Sequence, residues 1–198
     1  MAVDEVDDTT ADPLRPLARR LAAGRDSAFP DLVDTLASPV FSSVLRLTGS
    51  RPDAEDITQE TFIRAYQALG RYPAHQVSEL RLRPWLWTIA LNLCRNRARG
   101  RGRRPVTTTL TDDHHPADPA STEAEALDLV DDVWQRRLGE LADHVRTAVL
   151  LRHVAGLGYG EIAATVDRPV GTVKSDVHRG IERLRQMIER ETEKEEPR

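Results

Sequence analysis

The chain has 198 residues and a formal net charge of -4, with 39% hydrophobic and 30% charged residues. That length makes one large domain or two small ones, and the lean apolar fraction suits two small helical bodies on a linker. The sequence speaks against membrane insertion and export: the run LWTIALNL is cut short by arginines, and the acidic start MAVDEVDDTTADP is unlike a signal peptide.

Residues 1–12 are acidic and poor in large apolar groups, as a disordered tail is. From Leu14 the pattern turns helical, with Leu14, Leu17, Ala18 and Leu21 recurring at three and four until Gly24. Ser27 can cap the next helix, with Pro30 in its first turn and Phe29, Leu32, Val33 and Leu36 as its stripe. Pro39 interrupts, and Val40, Phe41, Val44, Leu45 and Leu47 resume the spacing up to Gly49. Ser50-Arg51-Pro52-Asp53 reads as a further start: a capping serine, a proline in the first turn, an acid three residues on. That helix runs to about Leu69, with Ala54, Ile57, Thr61, Ala65 and Leu69 on one face. Asp56, Gln59, Glu60, Ile63 and Gln67 lie on the other.

Gly70-Arg71-Tyr72-Pro73 breaks the pattern, and a loop is expected through Ser78. The next helix begins near Arg83-Pro84, and its apolar positions include Trp85, Leu86, Ile89, Ala90 and Leu93. The single cysteine, Cys94, excludes an internal disulfide, fits a reducing cytoplasmic compartment and reads as a small core residue. The helix ends in RNRARGRGRR, Arg95 to Arg104, with six arginines and no acid. Residues 105–124 are rich in Thr, Pro, Asp and Ala without periodicity, a linker. Helical stripes return with Val130, Val133, Trp134, Leu138 and Leu141, then Val145, Ala148, Val149 and Leu151. The last helix is expected to fade in the polar stretch from Glu191 to Arg198. No strand alternation and no repeat appears. The predicted fold is all-α: two small helical domains joined by a flexible linker.

Near the C-terminus, EIAATVDRPVGTVKSDVHRG has the form of a helix-turn-helix. Gly158 or Tyr159 can begin the first helix, Glu161 helps cap it, and Ile162, Ala163 and Val166 face inward. Asp167 occupies the left-handed position of the turn and Pro169 opens the second helix. There Val173, Val177, Ile181, Leu184 and Ile188 face the domain, leaving Thr172, Lys174, Ser175, Asp176, His178, Arg179 and Arg183 for a partner. Lysine and arginine meet phosphate or guanine, and serine serves either. The same spacing also fits an ordinary amphipathic helix with a solvated charged face. Asp176 can accept from a cytosine amino group or pair with Arg179 at i+3; the spacing favours the pair.

Three stretches resemble, in order, the extracytoplasmic-function (ECF) sigma factors of bacteria, the promoter-specificity subunits of RNA polymerase. They are SRPDAEDITQETFIRAYQALGRYP, LRPWLWTIALNLCRNRARGRGRRP and LADHVRTAVLLRHVAGLGYGEIAATVDRPVGTVKSDVHRGIERLR. The resemblance covers about Leu14 to Gln186 and implies a non-catalytic factor without cofactor or metal. It divides the chain into a tail (1–12), sigma domain 2 (13–104), a linker (105–124), sigma domain 4 (125–192) and a tail (193–198). Its implied partners are core RNA polymerase, through the clamp helices and flap, promoter DNA and an anti-sigma factor. By position, Asp56, Gln59, Glu60 and Ile63 would meet the clamp helices. Tyr72, His75, Gln76 and Ser78 would lie in the loop that holds a flipped base, and Arg83, Asn92, Arg95, Asn96 and Arg99 would face the upstream edge of the bubble. Of the two tryptophans, Trp85 is assigned to the core and Trp87 to base stacking at the minus-ten site. Asp143, Gly158, Asp167 and Asp176 stand where the family usually has proline, a hydroxyl cap, glycine and arginine, so the promoter sequence does not transfer.

An acidic chain can still read DNA when its positive charge is local. Arg95 to Arg104 and the Lys174–Arg183 face are basic islands, while acid collects in the tails and linker. A factor delivered by polymerase needs only weak DNA contact of its own. The alternatives are a stand-alone helix-turn-helix repressor or activator, which would need a dimer seam or effector domain, and a metalloenzyme built on His114-His115. The latter pair lies in the Pro-rich linker without helical ligand spacing.

Overall fold

The computed structural model describes residues 12–101 and 133–195, and every element among them is helical. Residues 1–11 of the expected 1–12 tail, the linker over 105–124 with His114 and His115, the arginines Arg103 and Arg104, and Val130 lie outside the described residues. The helices are α1 (Arg15–Ala23), α2 (Arg25–Thr48), α3 (Arg51–Leu69), α4 (Ala74–Glu79) and α5 (Leu82–Arg101) in the first part. The second part holds α6 (133–139), α7 (Asp143–His153), α8 (Tyr159–Val166) and α9 (Val170–Glu195).

α1 forms on the stripe expected for it, with Leu14, Leu17, Ala18 and Leu21 all buried. α2 differs from expectation. It starts at Arg25, with Ser27 Oγ donating to the Gly24 carbonyl at 3.0 Å, and it runs unbroken through both Pro30 and Pro39. An interior proline costs about 3 kcal/mol. Leu32, Leu36, Val40 and Val44 are between 0% and 2% exposed along one face, and each such burial is worth about 1.5–3 kcal/mol, so the buried stripe outweighs the prolines. Ser50 caps α3 as its sequence indicates, accepting from the Asp53 N–H at 3.4 Å. The expected loop after Pro73 contains α4, which buries Val77 and packs on α1. α9 reaches Glu195, into the segment expected to be a polar tail.

The two helical bodies pack together. α5 lies on α8 and α2 on α7. One hydrophobic cluster joins Leu82 and Leu86 to Leu151, Leu157, Ile162 and Val173. Arg81 forms an ion pair with Glu161 at 2.9 Å, and Gln135 Nε2 donates towards the Arg46 carbonyl at 3.4 Å. With its Arg81 end half in solvent, this pair is worth about 1 kcal/mol. Burying Leu157 and Ile162, both 0% exposed, is worth more, so apolar contact holds the halves together.

Candidate polymerase and nucleic-acid interfaces

The helix-turn-helix is built as its sequence specifies. Gly158 precedes α8, and its N–H donates to Glu161 Oε2 at 2.8 Å. The other oxygen of Glu161 takes Arg81, so one side chain both caps α8 and ties it to the first body. Asp167 adopts the left-handed conformation with φ 55°, and the Pro169 carbonyl accepts from Val173 N at 3.1 Å to open α9. Val173, Val177 and Leu184 are buried as expected and Ile181 partly so. Ile188, expected inside, is 36% exposed; Met187 takes the inner position instead, at 6%. Gly180 lets α9 approach α7, since a Cβ there would collide with Val149 Cγ2.

The outer face of α9 presents Lys174, Ser175, His178, Arg179 and Arg183 to solvent, with Thr172 half-buried. Lys174 Nζ lies 5.5 Å from the Tyr159 ring centroid and the Arg152 guanidinium 4.6 Å from it, so this ring groups two cations beside α9. Arg183 approaches Glu140 at 3.6 Å.

Asp176 departs from its sequence-based grouping with the DNA-contacting residues. It is fully buried and cannot itself meet a base. Its Oδ1 accepts from Arg179 Nη2 at 2.5 Å, the i+3 pair the spacing favours. Oδ2 is bound by Arg168, a residue the sequence did not single out because it lies eight positions away across the turn.

On the first body, α3, the turn after it and α5 border an open cleft of about 530 Å³ lined by Arg64, Gln67, Arg71, Tyr72, Trp85 and Asn92. Tyr72 and Trp85 meet edge to face, with ring centroids 6.4 Å apart. The expectation for Trp87 is thus overturned, while Trp85 packs against the core as expected but is only partly covered there. Trp87 is 1% exposed and cannot stack on a base, whereas Trp85, assigned to the core, is half-buried on the cleft wall. His75 and Gln76 are exposed on α4 beyond this cleft, and Ser78 donates to the His75 carbonyl at 2.8 Å. Arg95, Asn96 and Arg99 are exposed along α5, and Asn92 accepts from Arg95 at 3.3 Å. Arg83 lies instead at the junction of the two bodies, with Nη1 3.3 Å from where a Cβ on Gly156 would stand. It borders α5's contact with the second body and is therefore set apart from the exposed cluster.

The expected polymerase residues share one α3 face. Ile63 is 43% exposed, and Gln59 and Ile63 edge an apolar groove of about 640 Å³ with Phe29, Val33, Phe41 and Phe62. Asp56 pairs with Arg97 at 2.8 Å and Glu60 with Arg64 at 2.6 Å, and both acids line an adjoining cleft that shares Gln59 and Ile63 with the groove. Nearby, Arg25 and the Tyr66 hydroxyl both donate to Asp26, holding its carboxyl below the usual range. A second apolar groove of about 800 Å³ lies in the other body, lined by Trp134, Leu138, Ile181, Leu184 and Ile188, with Arg46 of α2 at its edge.

Among the described residues no group of three or more His, Cys, Asp or Glu is placed to hold a metal, and no helix is long and apolar enough to cross a membrane. Residues 32–104 match the family model of Sigma-70 region 2, and residues 132–184 that of Sigma-70, region 4. The chain is 32% identical over 177 residues to the RNA polymerase sigma-H factor of Pseudomonas aeruginosa, covering 85% of this chain and 90% of that one. It is 36% identical over 173 residues to the ECF RNA polymerase sigma factor SigE of Mycolicibacterium smegmatis, covering 84% of this chain and 65% of that one. Its fold is similar to CnrH, solved in complex with the cytosolic domain of CnrY, with a TM-score of 0.66 at 23% identity over 88% of this chain and 96% of that one. Region 2 on the grooved first body, region 4 on the helix-turn-helix body and relatives aligned across both place this chain in the extracytoplasmic-function sigma factors of RNA polymerase.

Proposed function

We propose that this sigma factor divides its work between four surfaces. The α3 face of Asp56, Gln59, Glu60 and Ile63, with the adjoining groove, receives the polymerase clamp helices. The Tyr72–Trp85 cleft takes a base extruded from the minus-ten region, because it offers two aromatic rings for stacking and Gln67, Arg71 and Asn92 for hydrogen bonds. The outer face of α9 meets the upstream duplex through Lys174, Ser175, His178 and Arg179, while Arg95, Asn96 and Arg99 attract the DNA beside the bubble. The groove of Trp134, Leu138 and Ile188 takes an apolar helix of the flap. An anti-sigma factor would compete for these same apolar grooves. The chain itself performs no bond chemistry; that belongs to the polymerase, in the cytoplasm.

The observation that carries this division is Ile63, a large apolar side chain exposed beside an apolar groove on one body, while the cations cluster on α9 of the other. A face for an apolar protein partner and a face for phosphate occupy different elements. Gel shifts on promoter duplex, with and without core polymerase, test it. Binding is expected only when polymerase is present; tight, sequence-specific binding by the free chain contradicts it.

A further inference from the structure

We propose that Asp176 is a positioning residue for recognition of the upstream duplex: its buried carboxylate fixes the guanidinium groups of Arg168, in the turn before α9, and Arg179, on its outer face, as a pre-set pair of donors. This rests on the helix-turn-helix reading above and deepens it.

The Asp176 side chain is 0% exposed, whereas those of Arg168 and Arg179 are 33% and 64% exposed. A carboxylate withdrawn from water requires partners, and here each oxygen has one guanidinium. His144 Nε2 also approaches Oδ1, at 3.8 Å. Arg179 is held twice: Nη2 donates to Asp176, and Nε donates to the Ser175 carbonyl at 3.3 Å. The side-on edge of its fork is therefore engaged within the protein. The end-on edge, Nη1 with the second Nη2 hydrogen, is left for a bidentate acceptor such as a phosphate or the O6 and N7 of guanine.

Arg168 belongs to the turn, where its N–H donates to the Ala163 carbonyl at 3.0 Å. The carboxylate thus ties the turn to α9 and orders both arginines before DNA arrives. Two guanidinium groups and one carboxylate leave a positive cluster, so the acid organises the face without reversing its attraction for phosphate. An apolar residue could fill the same space but would leave both arginines free to wander.

Holoenzyme assembled from core RNA polymerase and the full chain tests this. It is bound to a promoter fragment isolated by run-off selection and to the same fragment with its upstream element scrambled. The ratio of the two affinities is the readout. Asp176→Asn is expected to lower that ratio about three- to tenfold, the cost of ordering a long side chain on binding, with affinity for core polymerase unchanged. Asp176→Asn is expected to cost less in an Arg179→Gln background than in the original chain, since one of the two guanidiniums that Asp176 holds is already gone there. An unchanged ratio in Asp176→Asn, or losses that multiply in the double variant, overturns the proposal. If Asp176→Asn does not fold, Arg168→Gln carries the test: a lowered ratio supports the positioning role and an unchanged ratio overturns it. Lys174→Ala separates the two levels. A loss there without one in Asp176→Asn defeats the positioning role alone, and no loss in either defeats the helix-turn-helix reading.

Discussion

Gly180 is the point at which α9 presses closest on α7, and replacing it with alanine should weaken the second body. A Cβ at this position would collide with Val149 Cγ2, stand 2.9 Å from Val145 Cγ1 and lie 3.8 Å from Leu141 Cδ1. The first two contacts are too short for carbon atoms, and valine on a helix has one strongly preferred rotamer, so neither methyl can turn aside. α9 must move away from α7. Overpacking of this kind costs about 1–3 kcal/mol, against which alanine gains about 1 kcal/mol of helix propensity over glycine. The balance is a loss of up to about 2 kcal/mol, or a fall of up to roughly 8 °C in Tm for a chain of this size. Gly171 is the internal control: it lies in the first turn of the same helix, and a methyl group added there would meet nothing within 4 Å. Gly171→Ala should therefore be neutral or stabilising by up to about 1 kcal/mol. Thermal and urea unfolding followed by circular dichroism would compare the two variants. A Gly180→Ala protein as stable as Gly171→Ala would refute the close packing of α9 on α7.

Other expectations follow from particular contacts. Ile63→Ala with Gln59→Ala should weaken assembly with core polymerase, measured by fluorescence anisotropy, and leave the stability of the free chain within about 1 kcal/mol of its original value. Lys174→Ala should cost about 1–3 kcal/mol of upstream promoter affinity in the holoenzyme and reduce its salt dependence. Burial raises the Cys94 thiol to about 11, so at pH 8 its reaction with a disulfide reagent should be slow until urea unfolds the chain. The unfolded thiol ionises from its ordinary value of 9.0, so this group's contribution to stability is full below pH 9 and falls as pH rises towards 11.

Local chemistry was legible where one residue decides the geometry. The Ser50 cap, the left-handed Asp167 and the opening of α9 after Pro169 all follow from the backbone needs of single positions. What remained hidden depended on which of two apolar faces found a partner. α5 carries Leu82, Leu86, Trp87, Ala90 and Leu91 on its buried side, yet Trp85, Ile89 and Leu93 form an adjacent apolar stripe that periodicity cannot rank below it. Only packing against α2 and α3 separates Trp87 from Trp85. At Pro39 the local penalty is visible in the sequence, but the buried face that offsets it forms only on packing. Arg168 was invisible for another reason: its partner lies across a turn, beyond any helical spacing rule. Asp176 is the intermediate case, since its i+3 pairing with Arg179 was readable and its complete burial was not.

Run-off transcription tests the central claim most directly: purified chain is mixed with core RNA polymerase over a pool of genomic fragments, and transcript starts are mapped. Discrete starts that need this chain and share an upstream and a downstream sequence element are the expected result. Starts no different from those of core polymerase alone would contradict its role as a promoter-specificity subunit.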